Sequence, residues 1–294
     1  MLVKSIQHLS LFTKRFASYW QTNSWQNNHY FTEKTKADNE GAVFFVGAGS
    51  GDPDLLTLKA IKAFNAADVV LLDWLVSAEI NQMIPANVKR VFVGKRCGYH
   101  SMSQTEICQL LVSYANQGLT VVRLKGGDPS VFGRLAEETQ VLDTEHIAYQ
   151  IIPGISAANG CAASSGIPLT HRECAASVKF VTAHRQNAEQ DCDWQLLAQE
   201  TGTLVFYMGL NKIAMICQQL IEHGMDKDTP IAVIDKGTEK DQQVCCSTIN
   251  GITNQQEISC FNGPALIVVG EVVNHRANIT PLIELNSDVN TLVY

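Results

Sequence analysis

Short apolar runs alternate along this chain with segments whose apolar positions recur at helical spacing. In the first half, Ala42–Val46, Asp68–Leu72, Val88–Val93, Thr120–Leu124 and Tyr149–Ile152 predict strands. Leu55, Leu58 and Ile61 predict a helix over Asp54–Asn65, and a second helix reads at Gln104–Gln117, with Gly118 just past its end. In the second half the strands read at Val178–Thr182, Thr203–Tyr207, Ile231–Ile234, Gln243–Thr248 and Ala265–Val269. Helices fit Trp194–Glu200 and Asn211–His223, and Ser156–Gly166 is a stretch of small residues. Strand, loop and helix recur in the first half, which predicts a mostly parallel sheet. Residues 1–40 break this pattern, being rich in Gln, Asn, Ser and Thr; Ser5–Trp20 alone has amphipathic spacing. The simplest partition is a loosely ordered extension at 1–40, an α/β domain at 41–155 and a second α/β domain at 156–294.

Composition narrows the class. The 294 residues are 46% hydrophobic and 17% charged, enough for two real cores. A formal charge of −7 argues against broad nucleic-acid binding. Nine cysteines, an odd number without a CxxC pair, read as reduced thiols of a cytoplasmic protein rather than a disulfide framework. The spacing suggests no metal site. Neither a membrane span nor a secretory signal is expected, because no apolar run approaches the ~20 residues that cross a bilayer.

Two strand-end loops carry the candidate chemistry. Gly47–Asp52 follows a strand and opens a helix, and Asp73 ends the next strand, as in a dinucleotide-binding fold. Its spacing is G-x-G-x-G, however, and Asp52 stands where the third glycine belongs. A carboxylate there, with Asp54 close behind, opposes a pyrophosphate at the helix N-terminus. A ligand without phosphates and with one cationic atom suits the loop better, and S-adenosylmethionine is such a ligand. Gly126-Gly127-Asp128-Pro129 ends another strand, where bare backbone lets a ligand come close. Basic residues gather beside such loops: Lys95-Arg96, His100, Arg123 and Lys125, Arg134, and His171-Arg172. Together they suggest a ligand with several carboxylates.

The runs VGAGSGDPDLLTLKA (46–60), ADVVLLDWLVS (67–77), VGKRCGYHSMSQTEI (93–107), VVRLKGGDPSVFGR (121–134), IPGISAANGCAASSGIPLTHR (152–172), TLVFYMGL (203–210) and PALIVVGEVV (264–273) resemble, in order, the uroporphyrinogen-III C-methyltransferases of the tetrapyrrole methylase family. The resemblance covers about residues 42–275. It implies two α/β domains with S-adenosyl-L-methionine in the cleft between them, in a homodimer. It implies that Gly126, Gly127, Asp128, Val131, Phe132, Ser156, Ala157, Tyr207 and Met208 hold the cofactor. Asp73 and Lys95 would be catalytic; Arg96, His100, His171 and Arg172 would bind uroporphyrinogen III, which is methylated at C2 and C7 to precorrin-2 for sirohaem or cobalamin. Residues 1–40 are far too short for the extra N-terminal module of sirohaem-synthase relatives. The sequence departs from the family pattern at Ser50, Leu72, Trp74, Ser130, Leu135 and Ala136. A methylase of a later corrin-ring intermediate is the near alternative, and a nicotinamide-dependent dehydrogenase the distant one.

Overall fold

The computed structural model describes residues 41–94, 102–183 and 192–279. Expectations for residues 1–40 and for Lys95, Arg96 and His100 lie outside these residues. Two five-stranded sheets, each covered by helices, give the expected α/β fold.

The first sheet contains β1 (Ala42–Gly47), β2 (Val69–Leu72), β3 (Lys89–Phe92), β4 (Thr120–Lys125) and β5 (Ala148–Ile152), in the order β3-β2-β4-β1-β5. All four pairings are parallel. β2 and β4 are buried along their whole length, so they read as continuous runs rather than alternating ones. Successive residues still serve opposite faces. Val46, Val70, Leu72, Val122 and Leu124 pack with Ala60, Ala63 and Phe64 of α1 (Leu58–Ala66) and with Ile80 of α2 (Ala78–Gln82). Val43, Phe45, Val69, Leu71 and Val121 pack with Ile107, Leu111 and Ala115 of α3 (Gln104–Asn116) and with Leu142 of α4 (Leu135–Thr144). Each fully buried side chain of this size contributes about 1.5–3 kcal/mol.

The second sheet contains β6 (Val178–Thr182), β7 (Thr203–Tyr207), β8 (Pro230–Asp235), β9 (Gln243–Thr248) and β10 (Ala265–Val269), in the order β6-β7-β10-β8-β9. β6 and β7 are parallel and the other pairs antiparallel. One face packs against α6 (Trp194–Ala198) and α7 (Ile213–Glu222) through Trp194, Leu197, Ile216 and Leu220. The other receives Ala158 and Cys161 of α5 (Ala157–Ser165). α5 starts where the first sheet ends and packs on the second. Its small residues permit close contact on both sides: a Cβ on Gly160 would lie 2.1 Å from Ser50 Oγ, and one on Gly237 would lie 2.2 Å from Cys161 Sγ.

Several boundaries differ from expectation. The predicted helix from Asp54 is a short 3-10 turn, Pro53–Leu55, and α1 begins only after Thr57, whose hydroxyl accepts the Ala60 N–H at 3.2 Å. Asp52 caps the 3-10 turn by accepting the Asp54 N–H at 2.8 Å, which explains a carboxylate at that position. α2, α4 and α5 have no counterpart in the periodicity reading. The second sheet is mixed, with only one parallel pair.

Candidate functional site

β1 and β4 lie side by side, and their onward connections run in opposite directions across the sheet, to β2 and to β5. A crevice opens at the carboxyl ends of such strands. Both glycine loops leave from there. They are tied by a two-way backbone bridge: Gly127 donates to the Gly49 carbonyl at 2.7 Å and Gly49 to the Gly127 carbonyl at 3.1 Å. The end of β5 presses on both strands. A Cβ on Gly154 would lie 2.3 Å from the Gly127 oxygen and 2.8 Å from Gly47 Cα. Gly127 has a φ of +66°, where its missing side chain also avoids left-handed strain.

Beside these backbones a cavity of about 450 Å³ is lined by Asp128, Val131, Gly154, Ile155, Ser156, Asn159 and Phe180. A Cβ on Gly127 would lie 3.7 Å from the Ala157 nitrogen and 3.9 Å from Ser156 Cα, so the GGDP loop faces the start of α5. Ser156 caps α5, accepting the Asn159 N–H at 3.4 Å. From the second sheet, the Tyr207 hydroxyl accepts the Ala158 N–H at 3.1 Å. Burial above all pushes the Tyr207 phenol up, so it stays neutral and able to donate. Phe132 meets the Tyr207 ring edge-on at 5.0 Å, and Phe180 approaches it at 5.7 Å. Phe132 and Met208, both half exposed, hold φ values of +51° and +55°. Non-glycine residues held there cost free energy and gather at functional sites.

The fold thus assembles Gly126, Gly127, Asp128, Val131, Phe132, Ser156, Ala157 and Tyr207, with Met208 next to Tyr207. Asp128 clamps the loops together: it accepts the Ser130 N–H at 2.8 Å, the Ser130 hydroxyl, and the Gly154 N–H at 3.1 Å. Ser130 therefore has a defined task in this loop. Gly154, Ile155 and Asn159 lie within the run at 152–172 without being singled out by the sequence, and Phe180 lies outside every such run. Asn159 could have been found three residues after a helix-capping serine; Phe180 sits in an ordinary strand and gave no signal.

Asp73 stands apart from this cavity, at the end of β2, with its side chain 26% exposed. Arg123 Nη2 donates to Asp73 Oδ1 at 2.6 Å, while Arg123 Nε donates to Glu138 Oε1 at 3.1 Å. Lys125 Nζ donates to Glu138 Oε2 at 2.7 Å. Arg123 and Lys125 are two apart on β4, so both point toward α4, where Glu138 is fully buried. This corrects the reading of Arg123 and Lys125 as free cations for a polyanion. Arg134 is also committed, forming a fork with Glu137 at 2.6 and 2.7 Å. Burial, then the Arg123 charge, pulls the Lys125 ammonium below its ordinary pKa, against the pull of Glu138. Exposed Trp74, Leu75 and Phe92 form an apolar surface next to Asp73, and a Cβ on Gly126 would lie 2.9 Å from Leu75 Cβ. Leu75 therefore connects this surface to the glycine loop. Arg172 is exposed, and His171 stacks on His275. The eight cysteines among the described residues are unbridged, and burial pushes the Cys161 thiol up to about 12.

The profile of the Tetrapyrrole (Corrin/Porphyrin) Methylases matches residues 42–252. Siroheme synthase of Pseudoalteromonas translucida is 46% identical over 239 residues, covering 81% of this chain and 50% of the relative. Siroheme synthase of Escherichia coli is 49% identical over 241 residues, covering 81% and 52%. This chain spans about half the length of these relatives. A structure of uroporphyrin-III C-methyl transferase from Thermus thermophilus, complexed with S-adenyl homocysteine, is 34% identical with a TM-score of 0.69. It matches over 80% of this chain and 99% of its own. A cobalt precorrin-4 methyltransferase structure is 26% identical with a TM-score of 0.70, over 79% and 95%. With the profile spanning well over half of the chain, the chain belongs to the tetrapyrrole methylase family.

Proposed function

We propose that this chain transfers methyl groups from S-adenosyl-L-methionine to C2 and then C7 of uroporphyrinogen III, giving precorrin-2. It would act as a cytoplasmic homodimer in sirohaem or cobalamin synthesis. The observation that carries this reading is the glycine-framed crevice at the ends of β1, β4 and β5, facing α5 and Tyr207. It supports a ligand held by bare backbone and aromatic edges. The likeness to the Thermus thermophilus protein with S-adenyl homocysteine supports the same ligand class.

Gly126, Gly127, Val131, Phe132, Ser156, Ala157, Tyr207 and Met208 would hold the cofactor, with Asp128 fixing the loop that presents them. The bound cofactor supplies an electrophilic methyl on a sulfonium. The chain's own contribution is mainly alignment, which can be worth about 7–11 kcal/mol. Trp74, Leu75 and Phe92 offer an apolar surface to the macrocycle. Asp73, held by Arg123, faces the positive charge that develops on the attacked pyrrole, or takes its proton. Exposed Arg172 is a candidate for pairing with a substrate carboxylate; Arg96 and His100 are proposed for the same role, and Lys95 for a catalytic one beside Asp73.

The deciding experiment is anaerobic incubation with uroporphyrinogen III and S-adenosylmethionine, followed by mass spectrometry. Two added methyl groups are expected. A product with none, from folded protein that binds S-adenosylhomocysteine, would point to a different tetrapyrrole.

A further inference from the structure

A second group of chemically competent side chains lies in the second lobe. His171 and Ala175 close a tight turn: Ala175 donates to the His171 carbonyl at 2.9 Å, and His171 donates to the Ala175 carbonyl at 3.0 Å. Cys174, within that turn, also donates its N–H to the His171 carbonyl, at 3.3 Å. The turn sets Cys174 back beside His171. His275 arrives from far along the chain, as the last residue of the 3-10 helix Glu271–His275. Its ring lies on that of His171, with centroids 3.9 Å apart and 16° between planes. The backbone after His275 is pinned to the end of α5: Ala277 donates to the Gly166 carbonyl at 2.8 Å, and Arg276 Nε donates to the Ser165 carbonyl at 3.0 Å. The three side chains are thus brought together by fixed backbone.

One ligand atom from each of His171, Cys174 and His275 lies within 4.8 Å of the others. Around a tetrahedral zinc ion, with nitrogen at about 2.0–2.1 Å and sulfur at about 2.3 Å, two nitrogens and one sulfur stand about 3.3–3.6 Å apart. Closing that gap requires the His171–His275 stack to open, because near-parallel rings cannot aim both nitrogens at one ion, and exposed His275 has room to turn about its side-chain torsions. His171 Nδ1 meets the Glu173 N–H at 3.3 Å, a long bond that a metal can replace. Two imidazoles and a thiolate favour zinc, cobalt or copper over magnesium or calcium. None of the three lines the cavity at Asp128 and Ser156.

We propose that His171, Cys174 and His275 bind one divalent transition-metal ion of the zinc class, with a fourth position open to water. The ion clips the segment after β10 to the turn that follows α5. The sequence hides this site: His171 and Cys174 are a lone H-x-x-C, and the third ligand is too distant to be recognised by spacing.

The test uses the full chain, stripped with chelator and titrated with Zn2+ and with Co2+. One equivalent of Zn2+ should bind and raise the melting temperature, and Co2+ should give thiolate-to-cobalt charge-transfer absorption. Cys174→Ser and His275→Ala should each weaken Zn2+ at least tenfold, and Cys174→Ser should abolish the charge-transfer band. Cys246→Ser, removing an exposed thiol outside the cluster, should bind as the parent does. Absence of stoichiometric binding, full-strength binding in both ligand variants, or loss of binding in Cys246→Ser would each overturn the assignment. Circular dichroism of each variant separates a lost site from a lost fold.

Discussion

Asp73 shows how a single carboxylate can be placed and kept ready. Arg123 Nη2 donates to one of its carboxylate oxygens and so fixes the orientation of the group at the end of β2. If it stabilises charge on the ring, Asp73→Asn lowers kcat by about 10- to 1000-fold with a smaller change in KM. Steady-state kinetics would check this; weakened cofactor binding with intact saturating turnover would make Asp73 a cofactor ligand instead. Gly127 makes a different argument. A methyl there meets Ala157 and Ser156 only at ordinary contact distance, so Gly127→Ala suffers mainly left-handed strain of about 1–2 kcal/mol. In a domain of this size that lowers the melting temperature by about 2–8 °C. The same methyl points toward the start of α5, so calorimetry should show S-adenosylhomocysteine affinity reduced at least tenfold in a folded protein. At this scale the placement of the glycine loops and of Asp73 at strand ends was legible, because glycines and an acid directly after an apolar run mark where the strand stops. The pairing of Arg123 and Lys125 was not, because Glu138 lies in a helix whose polar sequence gave no sign of burial.

α4 is held to the first sheet by charge as well as by Leu142, since Glu138 anchors both Arg123 and Lys125. Glu138→Gln leaves buried cations short of a partner, a loss of about 3–5 kcal/mol in urea unfolding at neutral pH. The pH dependence has a definite sign. Glu138 holds the Lys125 pKa up against burial, so its removal lets native Lys125 lose its proton at lower pH than in the parent. In that window the unfolded variant binds more protons than the folded one, and its stability rises with pH. The gap between variant and parent should therefore narrow toward alkaline pH; a gap that stays constant would mean Lys125 is not the group responsible. Strands were the most legible elements, since β6, β7, β9 and β10 begin and end where the apolar runs do. Helices were less so: α2 is five residues long, α5 is built from small residues without an apolar stripe, and the α1 start was displaced because Asp52 and Thr57 are both capping residues.

At the scale of the whole molecule, directional contacts join the two lobes among the described residues. Tyr207 takes the Ala158 N–H, and Thr238 Oγ1 takes the Asp52 N–H at 3.1 Å. A ligand bound at this junction stabilises both sides. At a free concentration one hundred times its Kd, S-adenosylhomocysteine should add about 2.7 kcal/mol, or about 5–11 °C of melting temperature. Tyr207→Phe strands the Ala158 donor and should cost about 1–3 kcal/mol; differential scanning fluorimetry with and without ligand reads both effects.

The position of β4 has a further consequence, for how the chain is made. β1 and β2 are neighbours in sequence but not in the sheet; β4 lies between them and supplies every hydrogen bond that joins them. A ribosome releases β1, β2 and β3 well before β4 exists, so the growing chain presents unpaired, strongly apolar edges during that interval. Partial pairing of β2 with β3 is the only sheet contact open to those three strands, and it leaves β1 alone. Nascent chains stopped before Thr120 should remain protease-sensitive and engage chaperones. Those extended past Ile152 have all five strands and should become protected together, so the central strand serves as the release point of the first lobe's synthesis.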